Sequence, residues 1–311
     1  MLVALACTGT EKSESDPSEV PLDTDTGVPA VDATIPSVPD DTDVSEDTDL
    51  PVAGPCGGPI TLPDGRTFGG FADAFAAAAP YDELLVCPGT YSGWLLDLRK
   101  PLTITAIEGA ATTTLYGNYT RALLVDAPDV VIRGFTLDGD EVDGDGAALK
   151  MSPGSGVTLE DCVVTQGQIL YEGDDGGGIY VGESAVLTLV RTVVSANTGA
   201  ARGGGIFLAS KATADLIDSA VTANDGDSAA LYLSSGSTVT LDAGSGVTSN
   251  TAYVGPGGAI IEPGARLVSL GADWGEGPTE NAGGDIVFGG VPFGPFGPGA
   301  TFTCESGSCT P

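Results

Sequence analysis

Acidic side chains recur at one position of a repeated segment, where their spacing could bring them together for chemistry. Four residues before a recurring apolar residue stand, in successive repeats, Asp145, Asp175, Arg202 and Asp227. The same stretches also contain Asp143, Glu172, Asp174 and Asp225. Hard carboxylate oxygens are the ligands that Ca²⁺ prefers, so six of these residues predict a calcium site. The six are Asp143, Asp145, Glu172, Asp174, Asp175 and Asp227.

Two other interpretations of this acidic row remain open. Asp145 and Asp175 are candidates for the two carboxyl groups of a retaining glycosidase, which lie about 5 Å apart, with Arg202 beside them. Alternatively, the row is a solvated line of turn residues in which Arg202 neutralises its neighbours, because turns favour Asp for backbone reasons. The chain contains no histidine, which excludes Ser-His-Asp catalysis and histidine-ligated metals.

Two columns of repeated residues define the elements that position the row. The motif Gly-Gly-Gly-Ile at 176–179 returns at 203–206, and the apolar anchors of the repeat are Leu123, Leu149, Ile179, Ile206, Leu231, Ile260 and Ile286. A second column in step with the anchors consists of Leu137, Val164, Val194, Val221 and Val247. Three residues after its last three members stand Asn197, Asn224 and Asn250. A repeat of this length predicts a solenoid.

The residue types predict that each coil is built from strands. Segments 130–137, 186–190 and 237–241 are short, rich in β-branched residues and bounded by Gly, Asn or Asp. Each coil is expected to hold about three strands, which pair with their equivalents ~4.8 Å away in the next coils. The Asn column predicts a left-handed bend with amides bonded along the axis. No helical period runs through these segments.

The anchor positions also predict a row of aromatic rings. If the anchors point inward, alternation turns the next residues outward, and these are Tyr180, Phe207 and Tyr232. Stacked rings could serve as a platform for carbohydrate or simply join neighbouring coils. Other aromatic candidates for sugar stacking are Trp94, Tyr116, Tyr119 and Tyr171. Phe288, Phe293, Phe296 and Phe302 are expected to cover the C-terminal end of the coil.

These motifs resemble a known fold type. The chain resembles a right-handed parallel β-helix of the pectin-lyase-like type, over about residues 60–290. Its Gly-Gly-[Gly/Ala]-Ile and Val-x-x-Asn pairing is similar to the repeats of chlamydial polymorphic outer-membrane proteins, although those usually carry Phe where this chain has Val194, Val221 and Val247. Residues 71–79 and 83–91 resemble the start of many pectin-lyase-like domains, where a short helix caps the coil. The resemblance implies an all-β fold and says little about activity.

One enzyme motif is matched only in part. Gly173-Asp174-Asp175 resembles the paired-aspartate motif of polygalacturonases, which are β-helix enzymes. Their Gly-His-Gly element has no counterpart in this chain.

Composition divides the chain into four regions. Residues 1–7 resemble the end of a bacterial lipoprotein signal, 8–55 are an acidic Thr/Asp/Pro-rich tether, 56–290 form the β-helix, and 291–311 form a Gly/Pro/Phe-rich cap with a Cys-bounded tail. Residues 1–55 hold 13 acidic residues against one lysine and no aromatic residue, which predicts disorder. With 43 acidic and 11 basic residues in all, the rest of the chain is acidic too. This charge argues against a nucleic-acid partner.

The cysteines indicate an extracytoplasmic location. Cys7 follows a small-apolar string and is the predicted lipidation site, although only six residues precede it and a start further upstream would complete the signal. Cys56–Cys87 and Cys304–Cys309 are predicted disulfides. Cys162 takes the coil position of Phe135 one turn earlier, so it is expected to be a buried, unreactive thiol.

The function expected from the sequence is that of a cell-surface or secreted β-helix lipoprotein, placed outside the cytoplasm or at the outer membrane. Its role is predicted to be adhesive, structural or carbohydrate-binding, without catalysis. The alternative is a polysaccharide lyase or glycoside hydrolase acting at Asp145 and Asp175. Carbohydrate or a cell-surface molecule is the expected partner, the chain is expected to be a monomer, and the membrane is reached only through a lipid at Cys7. Calcium is the one cofactor that the sequence suggests.

Overall fold

Short apolar segments separated by glycine and by small polar residues form a stack of similar coils. In a computed structural model of the protein, a parallel β-solenoid of about 7 turns is preceded by one short helix. The structure describes residues 56, 58–92, 96–305 and 308–310. The expectations for Cys7, for the tether at 8–55 and for Trp94 lie outside the described residues.

The described strands form four sheets that the chain visits in a fixed order within each coil. Sheet 1 contains Ile60–Thr61, Thr67–Phe68, Glu83–Val86, Thr103–Ala106, Val130–Arg133, Gly156–Glu160, Val186–Val190, Thr213–Ile217, Thr238–Leu241, Arg266–Ala272, Ala300–Glu305 and Ser308–Thr310. Sheet 2 contains Gly89–Ser92, Thr113–Tyr116, Thr136–Asp138, Val163–Thr165, Val193–Ser195, Ala220–Thr222 and Gly246–Thr248.

The other two sheets complete each coil. Sheet 3 contains Glu141–Val142, Gln168–Ile169, Thr198–Arg202, Asp225–Ser228 and Thr251–Ala252. Sheet 4 contains Asp97–Leu98, Leu123–Val125, Leu149–Met151, Ile179–Val181, Ile206–Leu208, Leu231–Leu233, Ala259–Ile261, Ile286–Phe288 and Val291–Phe293. The prediction of about three strands per coil missed the short strands of sheet 3.

Both predicted columns run through the core, with one correction. The second column is confirmed, because Leu137, Val164, Val194, Val221 and Val247 pair in register along sheet 2 and all are buried. In sheet 4 the anchors pair as predicted up to Leu231, but Ala259 takes the next inward position and pairs with Leu231 and Ile286. The predicted anchor Ile260 was wrong. It pairs with Tyr232 and points outward, because apolar character alone does not tell the two faces of a strand apart.

The Asn column forms a continuous hydrogen-bonded ladder inside the solenoid. Asn197, Asn224 and Asn250 are buried, and the Nδ2 atom of each donates to the Oδ1 atom of the next amide, at 2.9 to 3.1 Å. The ladder continues to Asn281, whose Nδ2 atom donates to the carboxylate of Asp285. Amide bonding along the axis is therefore confirmed.

The predicted left-handed residue of this bend is displaced by one position. Positive φ angles occur at Ala196, Ala223 and Ser249, each just before an Asn. The side chains of Asn197 and Asn224 donate to the carbonyl two residues earlier, as Asn224 does to Thr222 O at 3.2 Å. The amide thus holds the left-handed residue in place from the next position.

The N-terminal end of the solenoid is capped by the helix Phe71–Ala77, as predicted in kind. Phe71 is buried and lies 6.5 Å from Phe135, between ring centroids. Lys100 donates from Nζ to the carbonyls of Phe75, Ala76 and Ala78, which satisfies the C-terminal end of the helix. The helix therefore closes the open end of the core.

The C-terminal end is covered by antiparallel strands. Ala300–Glu305 pairs with Arg266–Ala272, and Val291–Phe293 pairs with Ile286–Phe288. Phe302 is buried beside Trp274, with Phe296 stacked on it at 4.1 Å between ring centroids. Phe296 and Phe302 therefore lie at the C-terminal end of the coil, where the sequence predicted that they would cover it.

Candidate functional site

The acidic row lies at the corner between sheets 3 and 4, and glycine backbone sets its position. Gly176 and Gly203 have φ angles of 73° and 67°. A Cβ atom at either residue would meet a carbonyl oxygen at 2.4 Å, so only glycine fits this corner. The backbone N of Asp175 donates to Asp145 Oδ1 at 3.1 Å, and Asp175 forms a parallel bridge with Arg202. The predicted line from Asp145 through Asp175 to Arg202 is therefore present.

The line does not continue to Asp227 as predicted. Arg202 pairs with Ser228, and Ile206 pairs with Leu231. Four positions separate Arg202 from Ile206 but only three separate Ser228 from Leu231, so the coil of 25 residues between these anchors has one residue fewer at this corner. Asp227 is displaced by one position, and its carbonyl accepts from Val254 N at 2.8 Å.

The two central carboxylates are each held by a basic side chain. Arg202 donates from Nε and Nη2 to the two oxygens of Asp175, at 2.8 and 2.7 Å. Lys150 donates from Nζ to Asp145 Oδ2 at 2.9 Å. Arg121 Nη2 donates to the carbonyl of Asp145 at 3.2 Å. Three of the chain's 11 basic residues therefore lie among these carboxylates.

Burial and pairing act in opposite directions on Asp175. Desolvation raises the pKa of Asp175, whose side chain is 8 % exposed, and the Arg202 guanidinium opposes that rise. The hydrogen bonds to Asp175 raise the pKa of Arg202, which therefore stays cationic. Arg202 and Asp175 therefore form a bidentate ion pair in which both carboxylate oxygens accept a hydrogen bond.

The carboxylates predicted as calcium ligands are not brought to one point. No group of three or more His, Cys, Asp or Glu side chains in the described part of the chain is placed to hold a metal ion. Asp174 Oδ2 accepts from Gly144 N at 3.0 Å, whereas Asp143 and Glu172 are exposed. The row spreads along the corner, and basic residues take the cationic positions within it.

The predicted aromatic row is a stack of parallel rings on the outer face of sheet 4. The ring centroids of Tyr180 and Phe207 are 5.4 Å apart, as are those of Phe207 and Tyr232, with interplanar angles of 10° and 18°. The Arg202 guanidinium lies 5.1 Å from the centroids of both Phe207 and Tyr232. Lys150 Nζ lies 5.3 Å from the Tyr180 centroid. Cation–π contacts thus tie the acidic row to the rings.

Stacking removes the ring faces from solvent. Phe207 points outward as predicted but is only 4 % exposed, because a ring covers each of its faces. Lys150 and Ile260 hold the positions before Tyr180 and after Tyr232 in the same column. Sugar stacking requires an open ring face. The geometry therefore favours the ring stack that joins neighbouring coils.

The remaining aromatic candidates are dispersed. Tyr119 and Tyr171 are 77 % and 58 % exposed. Tyr116 donates its hydroxyl to Asp140 Oδ2 at 3.0 Å. They do not join the stacked rings.

Sequence reasoning missed the role of two residues in this site. Lys150 follows the anchor Leu149 by one position, so the alternation that placed the rings outward also places it at the head of their column. Glu262 accepts from the Tyr232 hydroxyl at 2.8 Å. The position of Lys150 in the repeat therefore predicts its place in this column, although it is not aromatic.

The predicted states of the cysteines agree with the structure. Two disulfide bonds join Cys56 to Cys87 and Cys304 to Cys309, and their presence indicates an extracytoplasmic protein. Cys162 is free and buried, and burial raises the pKa of its thiol to about 11. It heads a second ladder in which Cys162 N donates to Thr192 Oγ1 and Thr192 N donates to Ser219 Oγ.

Comparison with protein-family models, curated proteins and solved structures finds no match for this chain. Among the residues that the structure describes, no helix has the length and apolar character needed to cross a membrane.

Proposed function

We propose that this protein is a non-catalytic, extracytoplasmic β-solenoid protein that binds carbohydrate and serves an adhesive role. The absence of catalysis is proposed because of the bidentate Asp175–Arg202 ion pair, in which both carboxylate oxygens accept hydrogen bonds, at 2.7 and 2.8 Å. A retaining glycosidase needs one accessible acid and one accessible nucleophile. Asp145 is likewise held, by Lys150 and by the backbone N of Asp175.

The solenoid architecture supports a role in display. Every coil repeats the same short strands, so the outer faces present rows of side chains at ~4.8 Å intervals. Such rows suit an extended, repetitive partner better than a small substrate, which needs a concave site. The two disulfides support a location of this surface in an oxidising compartment, where extracellular glycans occur.

A panel of purified neutral and acidic polysaccharides tests the proposal. The intact protein is expected to bind at least one polymer in a pull-down and to release no reducing ends or unsaturated products from any of them. The double variant D145N/D175N should bind equally well and differ only in stability. Turnover that this variant abolishes would establish the lyase or hydrolase alternative instead.

Membrane attachment through Cys7 belongs to the same proposal. The support is the small-apolar string before Cys7 and the acidic residues after it. The full-length protein made in a lipoprotein-processing bacterium should incorporate labelled fatty acid, and Cys7→Ser should abolish the label. Kinship with pectin-lyase-like or chlamydial outer-membrane repeats is proposed on the repeat motifs alone. A freely soluble, unlabelled product would remove the anchor from the proposal.

A further inference from the structure

The outer face of sheet 2 carries little charge for so acidic a protein. Its outward residues form two rows along the solenoid axis. The first row is Thr90, Thr114, Thr136, Val163, Val193, Ala220 and Gly246. The second row is Ser92, Tyr116, Asp138, Thr165, Ser195, Thr222 and Thr248. Only one of these fourteen residues is charged, in a chain of net charge −32.

The neutral surface extends over the next corner. The turn that follows sheet 2 carries Gln166, Ala196, Ala223 and Ser249 in successive coils. By contrast, the outward strand positions of sheet 1 carry Glu83, Arg133, Glu160, Asp215 and Arg266, and those of sheet 3 carry Glu141 and Asp225. The neutral face of sheet 2 is therefore bounded by charge on both sides.

Two hydroxyl groups at the centre of the second row are available to a partner, whereas those of Thr222 and Thr248 bond each other and that of Tyr116 donates to Asp140. In the described part of the chain, the hydroxyls of Thr165 and Ser195 make no hydrogen bond to another protein group. Both residues are partly exposed. Beside them, Val163 and Val193 of the first row present methyl groups. The two adjacent coils that contain Thr165 and Ser195 thus each offer a hydroxyl next to a valine.

The size of this face decides between two occupants. Seven strands at ~4.8 Å spacing give a length of roughly 29 Å, and three residues at ~3.3 Å give a width of roughly 10 Å. A stable dimer needs about 800 Å² from each partner, and the face offers roughly 300 Å². A second copy would also bring its own acidic surfaces close. A long, narrow ligand fits this strip better than another protein does.

We propose that the outer face of sheet 2 binds an extended, uncharged glycan chain, with the Thr165 and Ser195 hydroxyls contacting sugar hydroxyls and the Val163–Val193 strip contacting C–H faces. The strand spacing of ~4.8 Å is close to the length of one pyranose unit in an extended chain, so the contact repeats from coil to coil. An anionic polymer is excluded from this site because the chain around it is strongly acidic. The inference rests on the carbohydrate-binding function proposed above and names its surface and ligand class.

Two matched variants test the surface. Ser195→Glu places a charge in the middle of the face, whereas Thr198→Glu places the same charge on exposed sheet 3 of the same coil. Binding of the full chain is measured by pull-down on cellulose, chitin and mannan, with alginate and polygalacturonate as anionic polymers. Unfolding midpoints of both variants serve as the folding control.

The proposal expects binding to a neutral polymer that Ser195→Glu weakens by about tenfold, which corresponds to about 1.4 kcal/mol, and that Thr198→Glu leaves unchanged. A charge held beneath a neutral ligand loses its water, which accounts for the loss. Should Ser195→Glu prove unstable, Thr165→Asn, which adds bulk without charge, is expected to weaken binding in the same direction.

Four other results would overturn the proposal, and they differ in what else they overturn. Equal binding by both variants moves the glycan to another face and leaves the proposed function intact. Binding to the anionic polymers alone would likewise move the glycan site to another face and leave the proposed function intact. A doubled mass in light scattering that Ser195→Glu returns to monomer makes this face a self-association surface. Binding to no polymer by the intact protein removes the carbohydrate-binding function itself.

Discussion

Replacing Asn224 by Ala removes the centre of the amide ladder and should destabilise the protein by about 3–5 kcal/mol. The Asn224 side chain donates to Val194 O, Thr222 O and Asn250 Oδ1 and accepts from the backbone N and the Nδ2 of Asn197. Without it the buried Asn197 N–H has no acceptor, at a cost of about 1–3 kcal/mol. The two carbonyls each lose a net hydrogen bond of about 1 kcal/mol.

Urea unfolding followed by circular dichroism measures this change as a lower midpoint at unaltered slope. Asp225→Ala is the matched control, because Asp225 is exposed and, among the described residues, its side chain accepts only from Thr251 Oγ1. Its effect should stay within about 0.5 kcal/mol. Since coils of a solenoid interact mainly with their neighbours, hydrogen exchange should show the loss of protection centred on the coils that contact Asn224. A destabilisation by Asn224→Ala no greater than that of the control would refute the structural role of the ladder.

Three further outcomes follow from the described geometry. Phe207→Ser should cost about 3–5 kcal/mol in the same urea assay, because its ring is buried between two others, and a cost near that of an exposed residue would contradict the stacked arrangement. Cys162 should resist alkylation at pH 8 in the native protein and react fully in denaturant, whereas rapid native labelling would mean an open core. Desolvation raises the pKa of Asp138, Asp175 and Asp285 above 3.8. The folded state then binds more protons at these groups than the unfolded state just above pH 4, so the three carboxyl groups make stability fall as pH rises through that window. Asp285→Asn removes one of them, so the Tm of this variant relative to the parent protein should rise as the pH increases from about 4 to about 5, and a constant difference would contradict the prediction.

The acidic row illustrates how far residue spacing could lead. Counting four residues back from each anchor placed Asp145, Asp175 and Arg202 in one line, and the structure confirms that line. It did not place Asp227, because the register depends on how many residues each corner takes up, and the corner before Leu231 takes one fewer. Spacing along a chain measures coil length, but only pairing fixes where within the coil a residue is gained or lost.

The partners of the row were also beyond reach from sequence. The sequence suggested that Arg202 alone neutralised the carboxylates, whereas Lys150 binds Asp145 and Arg121 lies beside it. Lys150 and Asp145 are five residues apart and meet because the chain turns at the glycine corner between them. The chemistry expected of free carboxylates is lost once these pairs form.

The sequence by itself determined the solenoid, because a repeat can bury its apolar residues only by stacking on its neighbours. The inward columns and the Asn ladder can be recognised in the sequence because the same residue types recur at the same position of each repeat. Only the tertiary structure decided which outward residues meet. Phe207 reads as an exposed ring in sequence, yet it is covered by rings from the two adjacent coils. The neutral face of sheet 2 likewise arises from residues about 27 positions apart, which share no local motif and become one surface only when the strands pair.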